Sequence, residues 1–501
     1  MSTANEQIRY SPREVASIKL CGEPYQQIVG GDNGVEEHVD CSRTLDRLAE
    51  NTDYFDRVGS LVAEVEPLLS SLFEGGGYYQ LDRAIKHGQN LSFEESFSLA
   101  TFVIASLNKP LRETVAGRVH NLGDQESHIL QAVALLSAMS AKEAYAGLTA
   151  EEIAGMVAAT IHLDTVARIR SSEPIFAFGG MGGDKGYPLN GENSKLFSLS
   201  TLGAVALSVD APVQKHHSYP NTSKVAGQSA IEAYGGRSDF NSLAAMEATL
   251  AESGLIMTSC HNTRTLHTLS HRLKGETVNH VIGPLAHTIS SETVINGFIG
   301  VNEKVHPQVV TSALQILNDR GFQRYGNSVV CCGTDMESLD VGDLDPVGFQ
   351  SNPELKNHVM IDEVAPPPFA TVAAFLVKGE NKGTYLITAD DFYDESQLSR
   401  IRLADLEVPN TYQDIMHANS LALAGHDESK TGYLAMTVGL GIFVRSYLDR
   451  PEALDFETRR VNRGYLRQAT ERARQILKSE KAARQLFHYA EVTKKYAGKT
   501  A

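Results

Sequence analysis

Long apolar runs are missing from this chain of 501 residues. The longest, such as Leu434 to Val444, are too short to cross a bilayer as a helix, so a membrane-spanning protein is not expected. Met1 to Arg9 is polar and lacks the apolar core of a signal peptide. Cysteine is scarce: Cys21, Cys41, Cys260, Cys331 and Cys332 make an odd set of 5. Without a secretion signal, that set argues for reduced thiols in a cytoplasm and against a disulfide scaffold. Cys331 and Cys332 lack metal-finger spacing, and on a strand they would point to opposite faces as small buried residues. A strong basic patch is also missing. The 45 Lys and Arg are outnumbered by 61 Asp and Glu, for a formal charge of −16. Such a balance repels nucleic-acid phosphates unless a local cleft concentrates the positive charge. The densest basic segment, Arg459 to Lys481, is interleaved with Glu471 and Glu480 and reads as a solvated helix face. There is no internal repeat, no low-complexity tract, and no nucleophile triad or paired-carboxylate signature.

What is present is an ordinary globular composition, 42% hydrophobic and 21% charged, long enough for two or three domains and a sizeable core. Residues 1–70 contain one expected helix, roughly Asp56 to Glu66, stopping before Pro67. Residues 71–170 read as a small helical domain. Ser92-Phe93-Glu94-Glu95 and Thr149-Ala150-Glu151-Glu152 both fit the capping-box pattern and precede apolar helices over Phe97–Leu107 and Ile153–Ile161. Residues 171–495 change texture. Short apolar runs ending in glycine, Phe176-Ala177-Phe178 before Gly179-Gly180 and Ser328 to Cys332 before Gly333, alternate with helical stretches at Val225–Tyr234 and Val309–Arg320. A strand is expected within Gly383–Phe392. The fold class is therefore α/β, with a small N-terminal helical domain and a larger domain built on a mostly parallel sheet flanked by helices. Leu466, Ala469, Ala473 and Ile476 form a helical stripe near the end.

Four clusters could carry chemistry. Gly179-Gly180-Met181-Gly182-Gly183-Asp184 follows a strand, and glycines let backbone N–H groups approach an anion. Ser198-Leu199-Ser200-Thr201 opens an apolar helix, where hydroxyls cap and the helix end favours phosphate. Lys215-His216-His217-Ser218-Tyr219-Pro220-Asn221-Thr222-Ser223-Lys224 places two lysines around hydroxyl and amide donors. Gly333-Thr334-Asp335-Met336-Glu337 sets carboxylates just past a strand, a donor type that suits Mg²⁺. Asn279 to Leu285 adds a turn around Gly283-Pro284. His216, His217 and His280 lack the spacing of a zinc site.

In this order the clusters resemble the anthranilate phosphoribosyltransferase family and, more distantly, the pyrimidine nucleoside phosphorylases. The family's glycine loop is matched at Gly180-Met181-Gly182-Gly183-Asp184, and its Ser-Thr motif at Ser198 to Thr201. Its Lys-His motif is matched at Lys215-His216 and continues through Thr222-Ser223-Lys224 without a gap. Its Gly-Pro-Leu motif lies at Gly283-Pro284-Leu285. Leu148 to Gly155 and the tail from Thr388 to Leu486 extend the likeness over roughly 75–490. The resemblance implies transfer of a phosphoribosyl group from phosphoribosyl pyrophosphate to an aromatic amine, with Mg²⁺, in a cytoplasmic homodimer. It implies that Gly180, Gly182, Gly183, Asp184, Ser198, Thr201, Lys215 and Ser223 hold the donor. Ser200 would be a Mg²⁺ ligand. The family's Asp-Glu doublet, holding a second Mg²⁺, would fall on Asp335 and Glu337, split by Met336. Arg272 would receive the acceptor's carboxylate, with Ser218 beside it, and Arg272 and Lys215 would be the catalytic pair.

Three departures bear on function. Ser218 and Tyr219 stand where the family has Asn and Arg. The stretch from Asp184 to Ser198 is longer, adding Asn190, Glu192, Asn193 and Lys195. Residues 1–70 have no counterpart. A changed acceptor is the simplest consequence. The alternatives are a nucleoside or nucleotide phosphorylase on the same fold, or a non-catalytic homologue that binds a ligand or nucleic acid.

Overall fold

The computed structural model describes residues 54–496, apart from short stretches at 74–75, 108–111, 113–123, 183–184, 190–191, 195, 218–226, 239, 241, 260–265, 267–268, 270–272, 274–276, 352 and 410. The chain opens with helices α1 (Tyr54–Phe73), α2 (Gly76–Lys86), α3 (Phe93–Leu107), α4 (Gln125–Ala146) and α5 (Ala150–Ala159). Both capping boxes form. Glu95 accepts from Ser92 N–H at 2.8 Å while Ser92 Oγ accepts from Glu95 N–H at 3.1 Å. Thr149 and Glu152 reciprocate in the same way at the start of α5. The expected stop at Pro67 does not occur, since α1 runs through it. An internal proline costs a helix about 3 kcal/mol. Here Leu69, Leu72 and Phe73 beyond it are buried, and that apolar area offsets the loss.

Glu152 does more than cap. Its carboxylate meets Lys142 Nζ at 2.8 Å and accepts from Leu91 N–H at 2.9 Å, with both charged side chains fully buried. Lys142 also donates to Gly147 O at 3.2 Å. Removing one member of a buried, hydrogen-bonded pair strands the other, at about 3–5 kcal/mol. Glu152→Ala is expected to lower unfolding free energy by about that amount, read as an earlier urea midpoint with an unchanged slope.

After residue 170, strands and helices alternate. The parallel strands are β1 (Ile175–Gly180), β4 (Val213–His217), β5 (Leu255–Ser259), β6 (Val294–Gly300) and β7 (Arg324–Thr334). A separate small hairpin, β2 (Tyr187–Leu189) with β3 (Glu192–Ser194), follows β1. Strands β8 (Val359–Ile361), β9 (Thr371–Val377) and β10 (Glu380–Ile387) extend the main sheet antiparallel. An edge hairpin, β11 (Leu454–Asp455) with β12 (Arg460–Val461), closes that side. The 10-stranded sheet runs in the order β11-β12-β10-β9-β7-β6-β1-β4-β5, with β8 paired to β7. The expected strand near Gly383 is β10, and Ala389–Phe392 after it is helical. The helix expected over Val225–Tyr234 spans Gly227–Glu232, and Val225 itself lies outside the described residues.

The longer helices around the sheet include α6 (Leu199–Leu207), α7 (Pro307–Asp319), α8 (Glu428–Ser446) and α9 (Arg463–Lys478). Side-chain alternation on the strands divides the core between two layers. Ala177, Ile299, Val330 and Cys332 face the layer shared with α3, α5 and α7. Phe176, Phe178, Phe298, Val329 and Cys331 face the layer that includes α6, α8 and α9. The two cysteines thus point to opposite faces, both buried. The basic segment of α9 is not simply a solvated face. Arg463 pairs with Asp390 at 2.5 Å, Arg472 with Asp210 at 2.9 Å, and Arg474 with Glu428 at 3.1 Å. These arginines stitch α9 to acidic neighbours, which leaves less free positive charge for a polyanion. Among the described residues no helix is long and apolar enough to cross a membrane.

Candidate functional site

Open α/β sheets bind ligands at the carboxyl ends of their strands, where the chain reverses its order across the sheet. Here β1 is that point: β4 and β5 lie on one side, β6 and β7 on the other. The glycine loop leaves β1 there. Gly182 has φ +66°, a left-handed value that suits glycine. Its carbonyl accepts from Asn302 Nδ2 at 3.1 Å, just past β6. α6 begins across the same edge, with Thr201 buried in its first turn. Ser198 precedes it but does not cap it through its side chain. Instead Ser198 is held by Asn419, which accepts from its N–H at 3.0 Å and donates to its Oγ at 3.2 Å.

Two adjacent carboxylates meet these elements. Asp362 Oδ2 accepts from Gly182 N–H at 2.7 Å. Glu363 Oε1 accepts from Ser200 N–H at 2.7 Å. The segment that carries them runs tight against β1 and β6. A Cβ on Gly180 would lie 2.6 Å from Asp362 Oδ2, and one on Gly300 would collide with Asp362 O. Tyr433 of α8 donates to Val364 O at 2.7 Å from beneath. Lys215, on β4, is 6% exposed. Burial lowers its pKa, and Asp362 and Glu363 pull it back up. Burial and the neighbouring Asp362 push Glu363 up to about 8. A buried carboxylate and its half-buried neighbour repel one another, and a divalent cation would relieve that repulsion. The donor set there is Asp362, Glu363 and the Ser200 hydroxyl, all hard oxygen, which suits Mg²⁺. Among the described residues no group of three or more His, Cys, Asp or Glu is arranged so that it could hold a metal ion. A cation held here would complete its shell with waters and substrate oxygens, as Mg²⁺ commonly does.

Of the residues expected from sequence, Gly180, Gly182, Ser200, Thr201 and Lys215 come together at this edge. Gly183, Asp184, Ser218, Ser223 and Arg272 lie outside the described residues. Asp335 is elsewhere engaged: its Oδ1 meets His358 Nδ1 at 2.7 Å, and Glu337 is exposed. The doublet at the glycine loop is Asp362–Glu363, which sequence reasoning missed. Between β7 and β8 the chain makes an excursion through a 3₁₀ turn (Val341–Leu344) and two short helices (Pro346–Ser351, Pro353–Asn357). The acids next to the end of β7 in sequence are therefore not the ones beside the loop in space. A signal is present in the sequence: an unbroken Asp-Glu directly after the apolar triplet Val359-Met360-Ile361.

A glycine loop, a helix start, a buried lysine and a carboxylate doublet meet at the switch point of the mostly parallel sheet of an α/β fold. The fold is that of solved anthranilate phosphoribosyltransferases. The enzyme from Thermus thermophilus superposes with a TM-score of 0.55 at 18% identity, covering 83% of this chain and 99% of its own. The Saccharomyces cerevisiae enzyme in complex with PRPP and Mg gives 0.54 at 14%, covering 84% and 99%. The same yeast enzyme with 4-fluoroanthranilate gives 0.51 at 15%, covering 80% and 93%. No protein-family model and no curated sequence matches the chain.

Proposed function

We propose that this protein is a Mg²⁺-dependent phosphoribosyltransferase that moves a phosphoribosyl group from phosphoribosyl pyrophosphate to an aromatic amine, releasing pyrophosphate. The observation that carries the reading is the doublet: Asp362 on Gly182 N–H and Glu363 on Ser200 N–H, with Lys215 as the opposing buried charge. Asp362, Glu363 and Ser200 would hold the metal in place of Asp335 and Glu337. When bound, Mg²⁺ neutralises charge on the departing pyrophosphate. Lys215 supplies fixed positive charge toward the same oxygens, while the Gly182 and Ser200 N–H groups hold the doublet that would carry the metal. The anomeric carbon then needs only an amine aligned on its opposite face. No strong base is required of the chain.

Arg272 and Ser218 are proposed to meet the acceptor. A steady-state assay of pyrophosphate release with anthranilate and related amines tests the activity. Arg272→Ala should raise KM for the acceptor by at least about 10-fold, the worth of one lost charge-assisted contact, while leaving the donor's KM within about twofold. Equal losses for both substrates would remove Arg272 from the acceptor site.

A further inference from the structure

The glycine loop is followed by a stretch that the family resemblance does not account for. The structure folds it into the β2–β3 hairpin. Its first residues grip the excursion between β7 and β8. Lys185 Nζ donates to Lys356 O at 2.9 Å and reaches Asn357 O at 3.4 Å, meeting the end of that excursion's last helix. Gly186 N–H donates to Met360 O at 3.1 Å. Tyr187 is fully buried and donates from its hydroxyl to Thr334 O, at the end of β7, at 3.0 Å. Its ring stacks on Phe369, 5.3 Å between centroids and 4° from parallel. With Met360 and Ile361 it forms a small apolar cluster of its own, apart from the two main cores.

Ile361 is the residue before Asp362. One ring thus touches the strand that delivers the carboxylate doublet and sits a few residues past the glycine loop that the doublet binds. We propose that Tyr187 is a positioning residue: it locks β8 against the glycine loop and so sets the spacing between Asp362–Glu363 and Ser200 on which cation binding depends. The inference rests on the metal reading above. It does not place Tyr187 in contact with substrate. Groups that orient metal ligands from behind change metal affinity by about 10–100-fold when removed. Tyr187 acts this way through packing and one hydrogen bond.

The test is Mn²⁺ binding to the full chain, followed by the loss of free-ion EPR signal, with thermal unfolding recorded alongside. Tyr187→Ala should weaken Mn²⁺ by at least about 10-fold. Tyr187→Phe keeps the stack and should stay within about threefold of the parent, since only one neutral hydrogen bond is lost. Lys185→Met removes a grip at the edge without opening the cluster, so it stays informative if Tyr187→Ala does not fold. It should weaken Mn²⁺ in the same direction. Glu152→Ala, which destabilises the distant helical layer, should leave Mn²⁺ affinity unchanged. Mn²⁺ affinity that is unaltered in Tyr187→Ala, or in Lys185→Met, overturns the positioning role. A parent protein that binds no Mn²⁺ overturns the metal reading beneath it, which is a different result from a parent that binds and variants that bind equally well.

Discussion

Asp362→Asn with Glu363→Gln is expected to weaken Mg²⁺-dependent binding of the donor by at least about 100-fold, because a metal contact worth several kcal/mol is lost. The substitution is isosteric. Asn and Gln side-chain oxygens can still accept from Gly182 N–H and Ser200 N–H, so the loop and the start of α6 keep their partners. What disappears is charge. Two effects then separate. With Mg²⁺ present, affinity for phosphoribosyl pyrophosphate collapses. In EDTA, affinity for inorganic pyrophosphate holds or rises, because the negative charge of the doublet no longer faces the anion. Calorimetric titrations of parent and variant under both conditions distinguish these. The variant should also match or exceed the parent in Tm, since burying neighbouring carboxylates costs stability that functional sites retain for their chemistry. A variant that binds donor and Mg²⁺ as the parent does would disconnect the doublet from the metal.

The second large effect is on stability in mild acid. Three histidines sit in the interior without a compensating negative charge. Desolvation holds His216 and His306 down to about 4 and His287 down to about 3. His287 is fully buried, and neither ring nitrogen has a hydrogen-bond partner among the described residues. An unfolded chain protonates these groups below about 6.5. The folded protein does not, so below that pH the unfolded state binds more protons and stability falls as pH falls. The loss begins near pH 6.5 and levels only below the folded values, near 4 for His216 and His306 and near 3 for His287. Each group contributes about 1.4 kcal/mol per pH unit in that window, so the three remove on the order of 5 kcal/mol between pH 6.5 and 5. Glu363, held up at about 8, takes up a proton on folding and offsets about one of these three, so urea midpoints should still drop below pH 6.5, with a net slope of about two protons. His287→Gln should flatten the slope by about one proton. A profile flat to pH 5 would mean that these rings sit closer to water than their packing indicates.

Much of the fold was legible because its signals are local. Capping boxes at Ser92 and Thr149 mark helix starts whatever surrounds them, and both form. The run Phe176-Ala177-Phe178 into glycine marks β1 because alternation and a turn residue need no tertiary context. Pro67 failed as a stop because three buried apolar residues beyond it outweigh one lost hydrogen bond, and burial is not written locally. The candidate site divides along the same line. Gly182 and Ser200 sit at a strand-to-loop and a loop-to-helix junction, and Lys215 sits within the short strand β4, so each motif is carried by one local element. The doublet required knowing that β7 pairs with β8 only after a long excursion, a non-local fact. Position in sequence therefore favoured Asp335, while position in space favours Asp362. Tyr187 gave no signal at all. Its role arises from two separate segments packing on one another.

At the centre stands the binding of phosphoribosyl pyrophosphate through Mg²⁺ by the glycine loop, α6 and the Asp362–Glu363 doublet. Isothermal titration of the parent protein with phosphoribosyl pyrophosphate tests it directly. Saturable binding with Mg²⁺ that vanishes in EDTA is the predicted result. No heat at millimolar donor with Mg²⁺ present, from a protein shown to be folded, would contradict it.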